Sequence, residues 1–515
     1  MTDDAGIAAL HVPAWRRVLG SWWLLAVVVL ATYLLSPVRD ATEHDPAFVP
    51  LTAHSLVHQR DVALDEFGAQ RLLGHPIVVT DGSLDPGFVV GLVGADGWTQ
   101  LQAAVADPDV DVLDYFPWTS AVVAVPGVLV TDLLAAVGGG PDSEELIAEH
   151  RFAFVHTASA SVVVLGALLA LRAAALVVLS GSVDRRRVLA NAVALVVAFG
   201  TSAWSTASRA LWQQTPSILM LSLALWCAVR VDAEVEADDG GGASRSDPWV
   251  LGLGAAAAGS AIARPTNLAF AGILFVWVLV RRRPTVATLA SVLTGALAVV
   301  GAFVVVNAVL VDRLVPAYYS AGRVQLGGWF AEAVAANWVS PSRGLLVASP
   351  VLLLAVPGAI VAWRDPERRS LVVALWTSVA AVTLSISAFP QWWAGHSFGP
   401  RFMTEAVPQL VVLALPAVDV VFAADRLRAG SPRRGRSVAA AVAVVALAAW
   451  SMAFHATGAV AGASGCWNRF PVDVDSDPGR IWSIADAQVL EPVRRVLDDE
   501  RRAAQDAACL LAAPT

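Results

Sequence analysis

Several short segments of this chain place arginine, histidine, tryptophan and glutamine together at the ends of long apolar runs. They read S-R-A-L-W-Q-Q (Ser208, Arg209, Trp212, Gln213, Gln214), A-R-P-T-N (Arg264), S-P-S-R-G (Arg343) and Q-W-W-A-G-H-S-F-G-P-R-F (Trp392, Trp393, His396, Arg401). The chain contains no lysine, so an anionic ligand falls to arginine, histidine, backbone amides or a metal. Arginine forks bind anionic oxygens in pairs, so such a set points to something anionic as its occupant. The polar stretch after the first apolar run adds carboxylates: Asp40, Glu43, Asp45, Asp65, Glu66 and Asp81. A carboxylate beside such a site can take the proton of an attacking hydroxyl, a general-base role. Taken singly, each residue has a plainer reading. A lone arginine near a helix end snorkels to headgroups, tryptophan at that depth forms an interface belt, and acidic residues make a solvated face.

The elements that must position these residues are membrane helices. Of the 515 residues 57% are hydrophobic and 15% charged, and mean hydropathy is +0.62. A soluble domain carries about a quarter charged residues, so lipid is the natural solvent for this chain. The net charge of -8, with no basic stripe, excludes nucleic acid as a partner. The sequence predicts an all-α polytopic membrane protein with about 11–12 spans. The first run, 18–35, follows Arg16 and Arg17, which places residues 1–17 in the cytoplasm. Further clusters at 185–187, 281–283, 364–369 and 426–436 mark cytoplasmic turns, as does the acidic, Gly-rich linker 231–248. Between them the apolar runs pair as hairpins, and the last, 437–455, carries the tail 456–515 to the other side. The runs 118–137 and 151–179 break the pattern: two crossings there would put Arg185–Arg187 on the wrong side. One of them is re-entrant or interfacial, or the charge rule fails.

On this topology the first loop (37–117), the loop 312–343, the arginine tips and the tail share the extracytoplasmic face. Asp45 lies about ten residues past the first run, within reach of those tips. The stretch from His75 to Val93 predicts a short hairpin. Cys227 reads as a small buried hydrophobe, while Cys466 and Cys509 are either paired or two free thiols.

The order of these segments resembles the GT-C superfamily of integral-membrane glycosyltransferases, which includes protein O-mannosyltransferases and the lipid A aminoarabinose transferase. It looks most like an uncharacterised branch from high-GC bacteria. The resemblance starts at H-D-P-A-F-V-P-L-T-A-H and Y-F-P-W, and runs through the arginine segments to C-W-N-R-F-P and R-I-W-S. It thus covers nearly the whole chain, including the membrane domain 18–455. It implies a GT-C-like bundle in the cell membrane that moves a sugar from a polyprenyl-phosphate carrier to an acceptor hydroxyl, with inversion. It implies Asp45 as the catalytic carboxylate, with Glu43 in reserve because many relatives carry Asp-Glu where this chain has Asp-Pro. Arg343, His396 and Arg401, backed by Arg209 and Arg264, are expected to bind the donor phosphate, whose charge grows as the bond breaks. Trp392, Trp393, Trp212 and Gln213 are expected to bind sugar or acceptor, the latter a cell-envelope glycan, a lipid or an exported protein. Some relatives use a divalent metal, but no ligand set with diagnostic spacing is visible, so no metal and no other cofactor is assigned. Alternatives are a transporter or flippase of lipid-linked sugars, a non-catalytic scaffold of the same fold, and a polysaccharide ligase.

Overall fold

A computed structural model describes residues 18–37, 46–72, 76–80, 88–91, 95–107, 109–149, 151–237, 247–282, 285–311, 313–319, 325–428 and 431–510. Glu43 and Asp45 lie outside the described residues. The protein is all-α and polytopic in character, with long apolar helices packed side by side. Among the described residues seven helices are long and apolar enough to cross a membrane, and shorter apolar helices accompany them. The long elements are α1 (Trp22–Leu35), α2 (Val49–His58), α3 (Thr119–Gly138), α4 (Ala153–Val178), α5 (Val183–Phe199), α6 (Gln214–Ala237) and α7 (Pro248–Ala263). They continue as α8 (Leu268–Arg282), α9 (Val286–Leu310), α10 (Ala355–Trp363), α11 (Arg369–Ser387), α12 (Val407–Val421) and α13 (Arg434–Val460).

The arginine clusters collect at one end of the bundle, where α6 ends. There Arg281 bonds Asp232 and Glu367, Arg282 bonds Glu234 and Asp247, and Arg368 bonds Glu236. At the same end Arg185 bonds Asp419 at the close of α12. Asn191 and Arg172 hold the carbonyls of Leu19, Gly20 and Ser21, so α1 begins there too. Tyr33, near the other end of α1, donates to the Ala198 carbonyl. The C-terminal tail leaves from that second end, called here the tail end.

α3 bears on the parity problem posed by the sequence. It is a single unbroken helix, and its first half meets tail-end turns of its neighbours. Gly127 faces Val155 and Ser159 in the first turns of α4. Ala121, Ala124 and Val128 share a cluster with Phe152, Ala160 and Leu211. Trp118, which precedes α3, bonds Asn307 in the last turn of α9. These contacts place the first half of α3 at the tail end, and Arg185 stays with the other arginine clusters. Hydropathy could not show this, because apolarity measures burial or lipid contact and not direction.

Close helix approach is set by small residues. A Cβ on Gly254 of α7 would lie 2.1 Å from the Val292 carbonyl oxygen of α9, and one on Gly295 would meet the Leu251 oxygen at 2.1 Å. The predicted hairpin forms: β1 (Pro76–Thr80) pairs antiparallel with β2 (Phe88–Gly91), with Ile77 opposite Val90. β3 (Asp111–Asp114) adds on the other side of β1, a strand the sequence reading did not foresee.

The tail is a docked unit. Cys466 and Cys509 are joined by a disulfide, which decides between the alternatives left open by the sequence. Trp467 is fully buried, with the Arg480 guanidinium 4.4 Å and that of Arg343 5.5 Å from the ring centroid. The charged end of the tail forms two helices, Glu491–Leu497 and Asp499–Leu510, around the buried Glu491, which accepts from Arg494, Arg501 and Gln505. Thiol counting checks the bridge. Denatured protein should give one reactive thiol without reductant, from the buried Cys227, and three after reduction. Cys466→Ser should make Cys509 reactive without reductant, and three thiols in unreduced protein would refute the pairing.

Candidate functional site

At the tail end the chain encloses a cavity of about 230 Å³. Its wall comes from six places in the sequence: Phe116, the Gln213–Gln214 turn, Arg264, Tyr318, the segment between α11 and α12, and Asp475 of the tail. The first five each lie where an element ends. Ala203–Ala207 forms a π-helical turn, and the chain that follows brings Trp212, Gln213 and Gln214 under the cavity at the start of α6. Arg264 is the C-cap of α7, in extended conformation before Pro265. Arg401 opens the 3-10 turn Arg401–Ala406 that leads into α12.

Two guanidinium groups line the cavity, both nearly buried. Arg401 is 7% exposed and lies over the Trp212 indole, 4.2 Å from its centroid. Arg264 is 4% exposed and is held by Glu405, with Nη1 to Oε2 at 2.6 Å. Glu405 is fully buried, and its other oxygen accepts from Ser217 at 2.5 Å and Asn267 at 2.9 Å. Gln213 is 7% exposed, lines the cavity, and its Nε2 has no hydrogen-bond partner among the described residues. A buried amide donor left unpaired costs about 1–3 kcal/mol, so a ligand atom accepting from it would recover that cost. Two cations and an amide donor converging on one polar cavity can hold a phosphate-like anion.

His396 reaches the cavity from the loop between α11 and α12. Its Nε2 lies 3.0 Å from Asp473 Oδ1 and 3.7 Å from Asp475 Oδ2, and Asp475 lines the cavity as well. The loop is bent by left-handed residues Ala394 (φ 68), Gly395 (φ 55) and Gly399 (φ 58). For Ala394 this conformation costs about 1–2 kcal/mol. Arg343 holds it in place, donating to the carbonyls of Trp393 and Gly395 on either side. Its remaining donors go to Asn468 at 2.9 Å and to Gln488. Gln488 in turn takes the Gly399 amide and donates to Ser397 and Ser464, tying tail to loop. Burial first, and then the charges of Arg401 and Arg480, lower the Arg343 pKa, while Asp475 opposes them.

No protein family, no curated protein and no solved structure matches the chain. The site therefore rests on geometry alone. Of the residues singled out in the sequence, Gln213, Arg264, His396 and Arg401 meet at the cavity, with Trp212 directly beneath Arg401. Others serve the fold. Arg343 is spent on protein acceptors, as described. Arg209 donates to the Tyr33 carbonyl at 2.7 Å and to that of Ser36, closing the C-terminus of α1. Trp392 is buried against Trp467, Val474 and Ile481. Trp393 donates to Asp475 Oδ1 at 2.7 Å, beside the cavity. Arg343, Arg209 and Trp392 thus sit apart from the cavity because buried protein carbonyls and tail side chains needed them first.

Sequence reasoning passed over Glu405, Asp473 and Asp475. Glu405 had a usable signal, an ionisable residue at the head of an apolar helix, which marks function by default. The Asp pair of V-D-V-D gave none, since nothing in the sequence shows that the tail folds back onto His396.

Proposed function

We propose that the protein is an integral-membrane glycosyltransferase of GT-C type, taking a sugar from a polyprenyl-phosphate carrier and passing it to an acceptor hydroxyl. The observation that carries this reading is the cavity: two buried arginines and an amide donor at one end of an apolar helix bundle. A lipid phosphate presents the matching features, an anionic headgroup on an apolar chain. The cavity is smaller than the roughly 300–1,000 Å³ of sites that enclose a drug-sized ligand, which suits a headgroup with the chain outside it.

The arginine lattice at the opposite end makes that end cytoplasmic by the charge rule. The cavity and the tail then face the extracytoplasmic side, the N-terminus lies in the cytoplasm, and a disulfide there is in keeping with an oxidising compartment. We read α3 as lying across that face, so that the chain crosses an odd number of times. Arg264 and Arg401 stabilise the phosphate charge that grows as the glycosidic bond breaks. Asp45, with Glu43 in reserve, takes the acceptor proton, and a single displacement with one base inverts the anomeric centre. Thr52, in the helix that follows Asp45, lines a small pocket that shares Phe116 with the cavity, which supports a role for this region at the site.

The test uses protein in lipid nanodiscs with a panel of polyprenyl-phosphate sugars, and reads release of free polyprenyl phosphate. Release that requires a cell-envelope extract and is lost in Asp45→Asn is expected. Tight carrier binding without turnover in either form, extract present, would favour a transporter or a non-catalytic scaffold instead.

A further inference from the structure

We infer that His396, Asp473 and Asp475 form a divalent-cation site at the rim of the anion cavity. The ligand atoms are an imidazole Nε2 and one carboxylate oxygen from each aspartate, all within 4.8 Å of one another. Nε2 lies 3.0 Å from Asp473 Oδ1 and 3.7 Å from Asp475 Oδ2. A cation bound at about 2.0–2.2 Å to nitrogen and oxygen sets its neighbouring ligand atoms about 3 Å apart, so the cluster closes on an ion with small side-chain shifts.

The three donors are brought together by structure remote from them. Val474, between the two aspartates, is fully buried with Trp392, Trp467 and Ile481, which fixes the tail segment at this point. The Gln488 bonds to Ser397 and Gly399 tie the tail to the His396 loop, and the Cys466–Cys509 disulfide braces the tail itself. The second, independent observation is the cavity itself. His396 and Asp475 share its lining with Gln213, whose buried Nε2 lacks a partner among the described residues. The rim and the interior therefore belong to one ligand-sized space, lined by His396 and Asp475 as well as by Gln213.

One imidazole and two carboxylates suit a first-row divalent ion such as Mn²⁺ or Zn²⁺. Three protein donors leave coordination positions open, as in metal sites that bind substrate. Those positions face the cavity that holds Arg264 and Arg401, so the cation takes a phosphate oxygen there as a Lewis acid. This bridging role rests on the anion reading of the cavity, whereas binding of the cation does not.

The experiment titrates Mn²⁺ into chelator-treated protein in nanodiscs, followed by electron paramagnetic resonance. Binding of one ion, weakened at least about 10-fold in His396→Ala and in the Asp473→Asn/Asp475→Asn double variant, is expected. Unfolding temperature in chelator and thiol counts identify any variant whose tail has come loose. Absence of Mn²⁺ and Zn²⁺ binding to wild type at millimolar ion overturns the site, as does binding that the double variant retains. A second arm measures inorganic pyrophosphate affinity with and without Mn²⁺. A gain of about 10-fold or more supports bridging, and equal affinity rejects it while leaving the cation site. Both arms read without turnover, so failure of the transferase reading is distinguishable from failure of this one.

Discussion

Arg401→Gln is expected to lower turnover of the lipid-linked donor by about 10²–10³-fold while leaving the fold intact. That is the loss found when one preorganised donor is removed from a developing oxyanion in a site shielded from water. Arg401 is nearly buried on the Trp212 indole, so its charge acts at low dielectric and its plane is fixed by stacking. Arg401→Lys should recover little, because a point charge neither stacks as flatly nor presents paired donors. The measurement is kcat with saturating acceptor, beside the thermal unfolding midpoint of each variant. Unchanged kcat in Arg401→Gln would remove Arg401 from the reaction and with it the principal support for the phosphate site.

Glu405→Leu is the substitution expected to damage the fold most. Glu405 is fully buried and joins α12 to Arg264 at the end of α7, to Ser217 in α6 and to Asn267. Removing it leaves the Arg264 charge buried without its counter-ion, a cost of about 3–5 kcal/mol. Arg264→Met in the same background should restore most of that stability, since replacing both members of a buried ion pair by apolar groups is often near neutral. The paired variant should nevertheless stay inactive, because Arg264 lines the cavity. Unfolding midpoints for the two single variants and the pair form the necessary cycle. Additive losses would show that the two residues do not act as a pair.

These variants also show how far the sequence reaches. Arg264 and Arg401 could be singled out because arginine at the lipid-embedded end of an apolar run is expensive and needs a reason. Arg343 and Arg209 carry the same signal for another reason, as buried donors to backbone carbonyls, and sequence cannot tell these uses apart. The difference lies in what each guanidinium meets, which depends on loops and a tail far away in the chain. Asp45 keeps its assigned role only through the proposal, since it lies outside the described residues.

The sequence by itself determined that this is an all-α protein of the membrane, that its arginine clusters share one end, and that the polar segments gather at the other. Those properties follow from transfer energies and charge, which add up locally along the chain. Only the tertiary structure decided that α3 packs at the tail end, that Cys466 pairs with Cys509, and that Glu405 holds Arg264. It also brought Asp473 and Asp475 from the tail to His396. Each of these is a contact between distant segments, fixed by packing and hydrogen-bond geometry that no local pattern of residues encodes.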